Sequence, residues 1–333
     1  MPQTAITTAL TAEGRTLPVV DVTHPAFALA DDDTAIAALF GAFETSMRQQ
    51  GRLPRFVLRL MLRLAARRSK LVRALRSPQA DFLDGLSTYA MKLGPANLVP
   101  PFDSDVDRRV AAAPPLTAMR LRLQQTAKLL AHGLQGELAA APGVPLTLFN
   151  IGGGPAIDSL NVLILLRAAA PALLARSIGV EIMDIDTAGP HFGANALAAL
   201  QGEGRALAGL DIRLRHHAYD WNETGPLARR LQQEAARGAV IAASSEGALF
   251  EYGSDAAILA NLGVLAAFGT KFVAGSVTRS DSLRQRLIAD GPFKLIPRGV
   301  EGFAPLAAHA GFELAEVRTT PLSDQVLLRR TKR

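Results

Sequence analysis

Four short stretches of this 333-residue chain hold the residue types that could do chemistry. The first is Gly152-Gly153-Gly154, directly after the apolar run Leu146–Ile151. A strand that ends in glycines and turns into a helix leaves a concave set of backbone N–H groups. Without side chains, a ligand can approach that backbone closely. The second is Met183-Asp184-Ile185-Asp186, where Asp184 or Asp186 offers a carboxylate that accepts on both oxygens. The third, Tyr219-Asp220-Trp221-Asn222, pairs an acid with the chain's sole tryptophan, which could stack on a ring. The fourth runs from Ser244 to Gly253 and contains Ser245, Glu246, Glu251 and Tyr252, groups able to bind an acceptor or take up a proton. The glycine run lacks the Gly-Lys-Ser/Thr ending of a phosphate loop, and Ile157 stands where a dinucleotide fingerprint needs its third glycine. With no cysteine, thiolate chemistry and disulfides are excluded, and no His or carboxylate group has metal-ligand spacing.

The elements that must position these groups alternate regularly. Strands are expected at 146–151, 178–184, 212–218, 239–243 and 271–276, with helices at about 156–170, 192–201, 226–237 and 255–268 between them. Helical segments near 282–289 and 300–309 follow, then strands at 312–318 and 325–329 joined by a short connection. Such alternation predicts an α/β domain with a parallel sheet, closed by an antiparallel terminal hairpin.

From about residue 140 onward, the glycine loop, the acids after the second and third strands and the terminal hairpin occur in an order that resembles the class I methyltransferases that use S-adenosylmethionine. The resemblance implies a seven-stranded Rossmann-like methyltransferase sheet and S-adenosylmethionine as cofactor. Its methionyl end would lie over Gly152, Gly153 and Gly154, with Ser245 nearby. Its ribose would be held by Asp184, with Asp186 and then Glu181 as alternatives, Asp186 being also a cap for the next helix. Asp220 would meet the adenine amino group under Trp221 or Tyr219. Glu246, Glu251 and Tyr252 would lie beside the transferable methyl group as catalytic candidates. Asp158 has a simpler role as a first-turn acid favouring the helix dipole.

Residues 1–135 are expected to form an all-helical lid or substrate domain in front of a methyltransferase domain at 136–333. Helices are expected from Asp32 or Asp33 to about Gln50, over Asp81–Leu93 and over Thr117–Leu134, with one turn near 107–112. By the resemblance, residues 80–120 would supply the acceptor pocket, with Tyr89 as a substrate-binding candidate. Val19–Val22 could be a short strand or an anchor for the tail in an otherwise irregular start.

Charge is unevenly placed. Of 36 Lys/Arg, ten fall between residues 45 and 80, where none of the 30 Asp/Glu occurs. Arg48, Arg52, Arg55, Arg59, Arg63, Arg67, Lys70 and Arg73 recur at helical spacing, with a break at Pro54. This segment reads either as a solvated helix face or as a surface for an anionic membrane, nucleic acid or an acidic partner. No interleaved aromatics support base stacking, so nucleic acid is not the expected partner. The start has no apolar signal core, and the longest apolar stretch is interrupted by Arg167 and Pro171, so a cytoplasmic protein without a transmembrane segment is expected. The functional expectation is methyl transfer to nitrogen or oxygen of a small metabolite, with a homodimer allowed. The alternatives are a nucleic-acid or protein methyltransferase docking through residues 48–76, a fold relative without activity, and a nicotinamide enzyme.

Overall fold

A computed structural model describes residues 5–51, 54–76, 85–281, 284–285 and 293–331. The N-terminal part holds a two-stranded hairpin, β1 (Thr8–Leu10) and β2 (Thr16–Pro18), and six helices. These are α1 (Asp33–Gly51), α2 (Arg55–Arg68), α3 (Lys70–Arg76), α4 (Gly85–Lys92), α5 (Asp105–Ala111) and α6 (Pro114–Ala140). The alternating part follows as β3 (Leu146–Ile151), α7 (Ile157–Ala169), β4 (Ile178–Asp184), α8 (Ala188–Leu200), β5 (Ile212–Ala218), α9 (Gly225–Ala236) and β6 (Val240–Ser245). It continues with α10 (Leu249–Tyr252), α11 (Asp255–Ala267), β7 (Phe272–Thr278), α12 (Gly299–His309), β8 (Phe312–Thr319) and β9 (Ser323–Arg330).

The seven long strands form one sheet in the order β5-β4-β3-β6-β7-β9-β8, parallel except for β9, which runs antiparallel to both neighbours. This is the seven-stranded Rossmann-like sheet expected from the sequence. The reversed strand is inserted one place in from the edge, leaving β8 outermost. Strands β3, β6 and β7 are buried at every position, whereas the edge strands β5 and β8 alternate, as a sheet covered on both faces requires. Side-chain alternation along β3 sends Leu146 and Leu148 into a core shared with α6, α7 and α8. Phe149 and Ile151 enter a second core with α9, α11 and α12.

Two expectations change. The N-terminal part is not all helical, because residues 8–18 pair as a hairpin and Val19–Val22 form no strand. Nor is it a detached body. The Asn161 side chain on α7 accepts from Val22 N at 2.8 Å and donates to Val20 O at 2.9 Å, which fixes the entering segment to the sheet layer. The boundary expected at 135/136 falls inside α6, which is longer than its pattern suggested. Gly133 does not stop that helix, because it lets α6 press on Phe272 and Leu327; a Cβ there would lie 3.1 Å from the Phe272 ring. One apolar core runs from Ala9 to Leu327. The helix expected over Asp81–Leu93 is seen as α4, with residues 81–84 outside the described residues, as are Arg52 and most of the segment expected near 282–289.

Candidate active site

The carboxyl ends of β3, β4, β5 and β6 open onto one cavity of about 990 Å³. That is near the upper end of the roughly 300–1,000 Å³ typical of ligand clefts. Its sheet-side wall includes the three glycines, Asp158, Asp184, Ile185, Asp220 and Trp221; its opposite wall is largely apolar and includes Phe43, Val72, Leu116, Met119 and Leu322.

The glycine turn is shaped by close approaches. Gly152 and Gly154 take φ values of +67° and +58°, where a side chain is disfavoured. A Cβ on Gly152 would meet Ala248 Cβ at 2.8 Å and the Trp221 ring at 3.0 Å; one on Gly153 would collide with the Asn150 side chain. The turn is tied to the neighbouring strand. Gly154 N–H donates to Asp184 Oδ2 at 2.7 Å, and Asp186 N–H donates to Asp184 Oδ1 at 2.9 Å. A carboxylate offers about four acceptor positions, so Asp184 keeps capacity on both oxygens. Burial pushes its carboxyl above the usual range, against the two backbone donors.

Asp186 lines the cavity, but its carboxylate accepts from the backbone N–H of Thr187, Ala188 and Gly189 at 2.8, 3.1 and 3.1 Å. It caps α8, the simpler of its two expected roles. That cap also explains why α8 begins four residues earlier than expected. Glu181 points away from the cavity. It meets His217 at 2.6 Å, Arg230 at 3.1 Å and Arg215 at 3.2 Å. Burial would raise its carboxyl, but His217 and Arg230 hold it low, so it is removed from the ribose candidates.

On the third strand's loop, Asp220 is exposed and accepts from Asn222 N at 2.9 Å, a tight polar turn. Asn261 fixes this loop, donating to Trp221 O at 2.8 Å and accepting from the Tyr219 hydroxyl at 2.5 Å. The Trp221 ring is thereby held against the glycine turn. Ser245 does not line the cavity. Its hydroxyl donates to Ile151 O and accepts from Leu249 N, each at 3.0 Å, so it braces the strand end instead. Tyr89 lines the cavity with its ring only. Its hydroxyl donates to Pro18 O at 2.6 Å and accepts from Val20 N at 2.9 Å. A polar substrate contact is therefore replaced by a staple on the N-terminal segment.

The fourth-strand loop differs most from its expected role. Glu246 is buried and ion-paired to both Lys92 Nζ and Arg122 Nε. Arg122 Nη1 also meets both oxygens of buried Glu251, at 3.2 and 3.3 Å. Burial would raise the Glu246 carboxyl, but Arg122 and Lys92 hold it below the ordinary range. A carboxylate so stabilised is a weak base, and the catalytic role expected of Glu246 gives way to an electrostatic one. Tyr252 lines the cavity, and burial beside Glu251 keeps its phenol protonated well above its usual range.

Sequence reasoning missed Lys92 and Arg122 and gave Asp158 too small a role. Arg122 lies within the run Met119-Arg120-Leu121-Arg122, where nothing local separates it from Arg120. Asp158 is 2 % exposed and does more than face the helix dipole. Its Oδ1 accepts from Asn150 Nδ2 at 2.7 Å; its Oδ2 is buried without a hydrogen bond of good geometry, although the Ser244 hydroxyl lies near enough to the carboxylate to favour its charged form. Burial raises its carboxyl above the usual range. A buried acceptor left unmatched costs about 1–3 kcal/mol, so its place in a cavity wall marks it for a ligand donor. Among the described residues, no group of three or more His, Asp or Glu could hold a metal ion, and no helix is long and apolar enough to cross a membrane.

The chain matches no protein-family model, and no curated protein matches it significantly. Among solved structures, it is similar to a possible exported protein from Bordetella parapertussis, with 18% identity and a TM-score of 0.56, over 92% of this chain and 99% of that one. Weaker likenesses include human N-acetylserotonin methyltransferase in complex with S-adenosylmethionine, at 13% identity and TM-score 0.39, over 65% of this chain and 55% of that one. An O-methyltransferase family protein from Burkholderia thailandensis matches at 14% identity and TM-score 0.40, over 68% and 61%. The chain thus shares its fold, a seven-stranded sheet with one reversed strand next to the edge, along nearly its whole length with the Bordetella protein.

Proposed function

We propose that this protein is an S-adenosylmethionine-dependent methyltransferase acting on nitrogen or oxygen of a small, largely apolar metabolite. The observation that carries this reading is one cavity holding a side-chain-free glycine cradle, a strand-end carboxylate with spare acceptor capacity and a buried carboxylate oxygen without a hydrogen bond of good geometry. Those features fit a nucleoside joined to an amino acid. Asp184 would hold the ribose hydroxyls, Trp221 and Ile185 would flank the base beside Asp220, and Asp158 Oδ2 would take the α-ammonium. When bound, the cofactor supplies an electrophilic methyl group on a good leaving group. The chain's own task is then chiefly to place the acceptor in line, and proximity can supply much of the rate.

On the acceptor side, Phe43, Val72, Leu116 and Met119 would exclude water and set the acceptor's orientation. Glu246 with Lys92 and Arg122 forms the electrostatic floor. Glu251, which meets one nitrogen of Arg122 where Glu246 is paired to two cations, is the proton acceptor in this reading and Tyr252 a hydrogen-bond donor. We place the protein in the cytoplasm. Recovery of the mature chain outside the cytoplasm on cell fractionation would overturn that part.

Titration calorimetry with S-adenosylhomocysteine tests the reading. Binding in the micromolar range or tighter is expected, weakened by about 10- to 100-fold in Asp158→Asn, the value of a hydrogen bond between charged groups. No heat at millimolar ligand would sink it. For the acceptor side, Glu251→Gln should lower turnover by about 10²- to 10⁴-fold, the usual worth of a positioned acid or base, with cofactor affinity unchanged. Single-turnover rates equal to wild type would remove Glu251 from the chemistry.

A further inference from the structure

Helix α2 presents a surface that the cavity does not explain. Phe56, Leu60, Met61 and Leu64 are 72, 56, 54 and 51% exposed. Single exposed apolar side chains are ordinary, but these four, with Leu62 at 38% beside them, fall within nine residues and make a patch. Phe56, Leu60 and Leu64 follow at four-residue intervals, so they form one stripe along the helix. Arg63, Arg67 and Arg68 on the same helix are exposed, as are Lys70, Arg73 and Arg76 on α3. No acid occurs between residues 45 and 80. The helix is held to the body at its far end. Asp107 accepts from the Ser69 hydroxyl at 2.5 Å and from Leu71 N at 3.0 Å, and Leu71 and Val72 are buried. The apolar stripe is therefore presented from an anchored base.

We propose that α2 and α3 form a docking surface for an anionic phospholipid membrane. An interfacial helix combines exposed Phe and Leu with Arg and Lys, burying the former at the acyl boundary while the latter meet acidic headgroups. Charge decides among the occupants. A second copy would set one cation-rich, acid-free segment against another, and nucleic acid would leave the apolar stripe unmatched. The surface stands independently of methyl transfer. If that reading also holds, Val72, Leu75 and Arg76, which belong to α3 and line the cavity, would bring that wall against the bilayer, suiting an acceptor drawn from the lipid phase.

The full chain would be sedimented with phosphatidylcholine vesicles, with and without phosphatidylglycerol, in the absence of cofactor. Binding to the phosphatidylglycerol vesicles alone is expected. It should fall tenfold or more in Arg63→Gln/Arg67→Gln, in Phe56→Ser/Leu60→Ser/Leu64→Ser, and on raising salt towards about 1 M, where screening shortens to about 3 Å. Thermal unfolding matched to wild type confirms that each variant keeps its fold, and the arginine variant decides if the apolar one does not. Failure to bind, equal binding to neutral vesicles, preference for an RNA homopolymer, or a dimer abolished by the apolar variant would each overturn the proposal. Because the readout uses no cofactor, its failure is distinguishable from failure of the methyltransferase reading.

Discussion

Asp184→Ala should weaken S-adenosylhomocysteine binding by about 10²- to 10⁴-fold, the largest effect on ligand affinity we expect from one substitution. Two hydrogen bonds from ribose hydroxyls to a charged acceptor contribute about 1.5–3 kcal/mol each, and 1.4 kcal/mol corresponds to about a factor of ten. The variant also removes the acceptor that fixes Gly154 N–H and Asp186 N–H, so the glycine turn loosens with it. Titration calorimetry checks both effects, with Glu181→Ala as the control for a buried carboxylate on the same strand outside the cavity. An affinity within threefold of wild type in Asp184→Ala would remove the ribose role. Acid should weaken binding in the wild type, because burial raises the Asp184 and Asp158 carboxyls and the charged form is the one that binds. The loss should begin at a pH above the ordinary carboxylate range of about 4.

Arg122→Met should have the largest effect on stability. It breaks the ion pair to Glu251 and leaves Glu246 with Lys92 alone, all in a buried setting. Breaking a buried ion pair from one side costs about 3–5 kcal/mol, which for a chain of this size lowers Tm on the order of 10 °C. Replacing both sides, as in Arg122→Met/Glu251→Leu, should recover part of the loss, since matched apolar groups need no counter-charge. A double variant no more stable than the single one would show that Arg122 acts through packing rather than charge.

The pH dependence follows from the same network. Glu246 has a folded-state pKa below its unfolded value. It therefore contributes stability that is present above about pH 4.3 and lost as the pH falls through the folded value. Asp158 and Asp184 are shifted the other way, so their contribution falls as pH rises through their raised values. Glu246→Gln should accordingly flatten the acid side of the stability profile while lowering its plateau. Thermal melts between pH 3 and 7, on the order of one per pH unit, would read both changes.

Several parts of this protein were fixed by the local sequence. The run Leu146–Ile151 into three glycines gave strand, turn and helix start because the apolar stretch must be covered on both faces and positive φ is open to glycine. The small-residue break at Gly311, with φ +91°, placed the start of β8, and the alternation before it placed five strands within a residue or two. Asp184 was legible through the family resemblance, as the acid that ends the second strand, and the parallel pairing of β3 with β4 sets it beside the glycine turn. Other parts depended on packing between distant segments. Whether Glu246 is a base or a paired anion was decided by Lys92 and Arg122, which lie 154 and 124 residues away in the chain. Asp158 became a site candidate when the sheet and α7 buried one oxygen without a well-placed donor. The Tyr89 hydroxyl was claimed by Pro18 and Val20, which lie 71 and 69 residues away in the chain. Residue type and spacing determine local backbone conformation, because those forces act within a few residues. The charge state and free valence of a buried polar group depend on which remote groups share its low-dielectric surroundings, and only the tertiary structure brings those together.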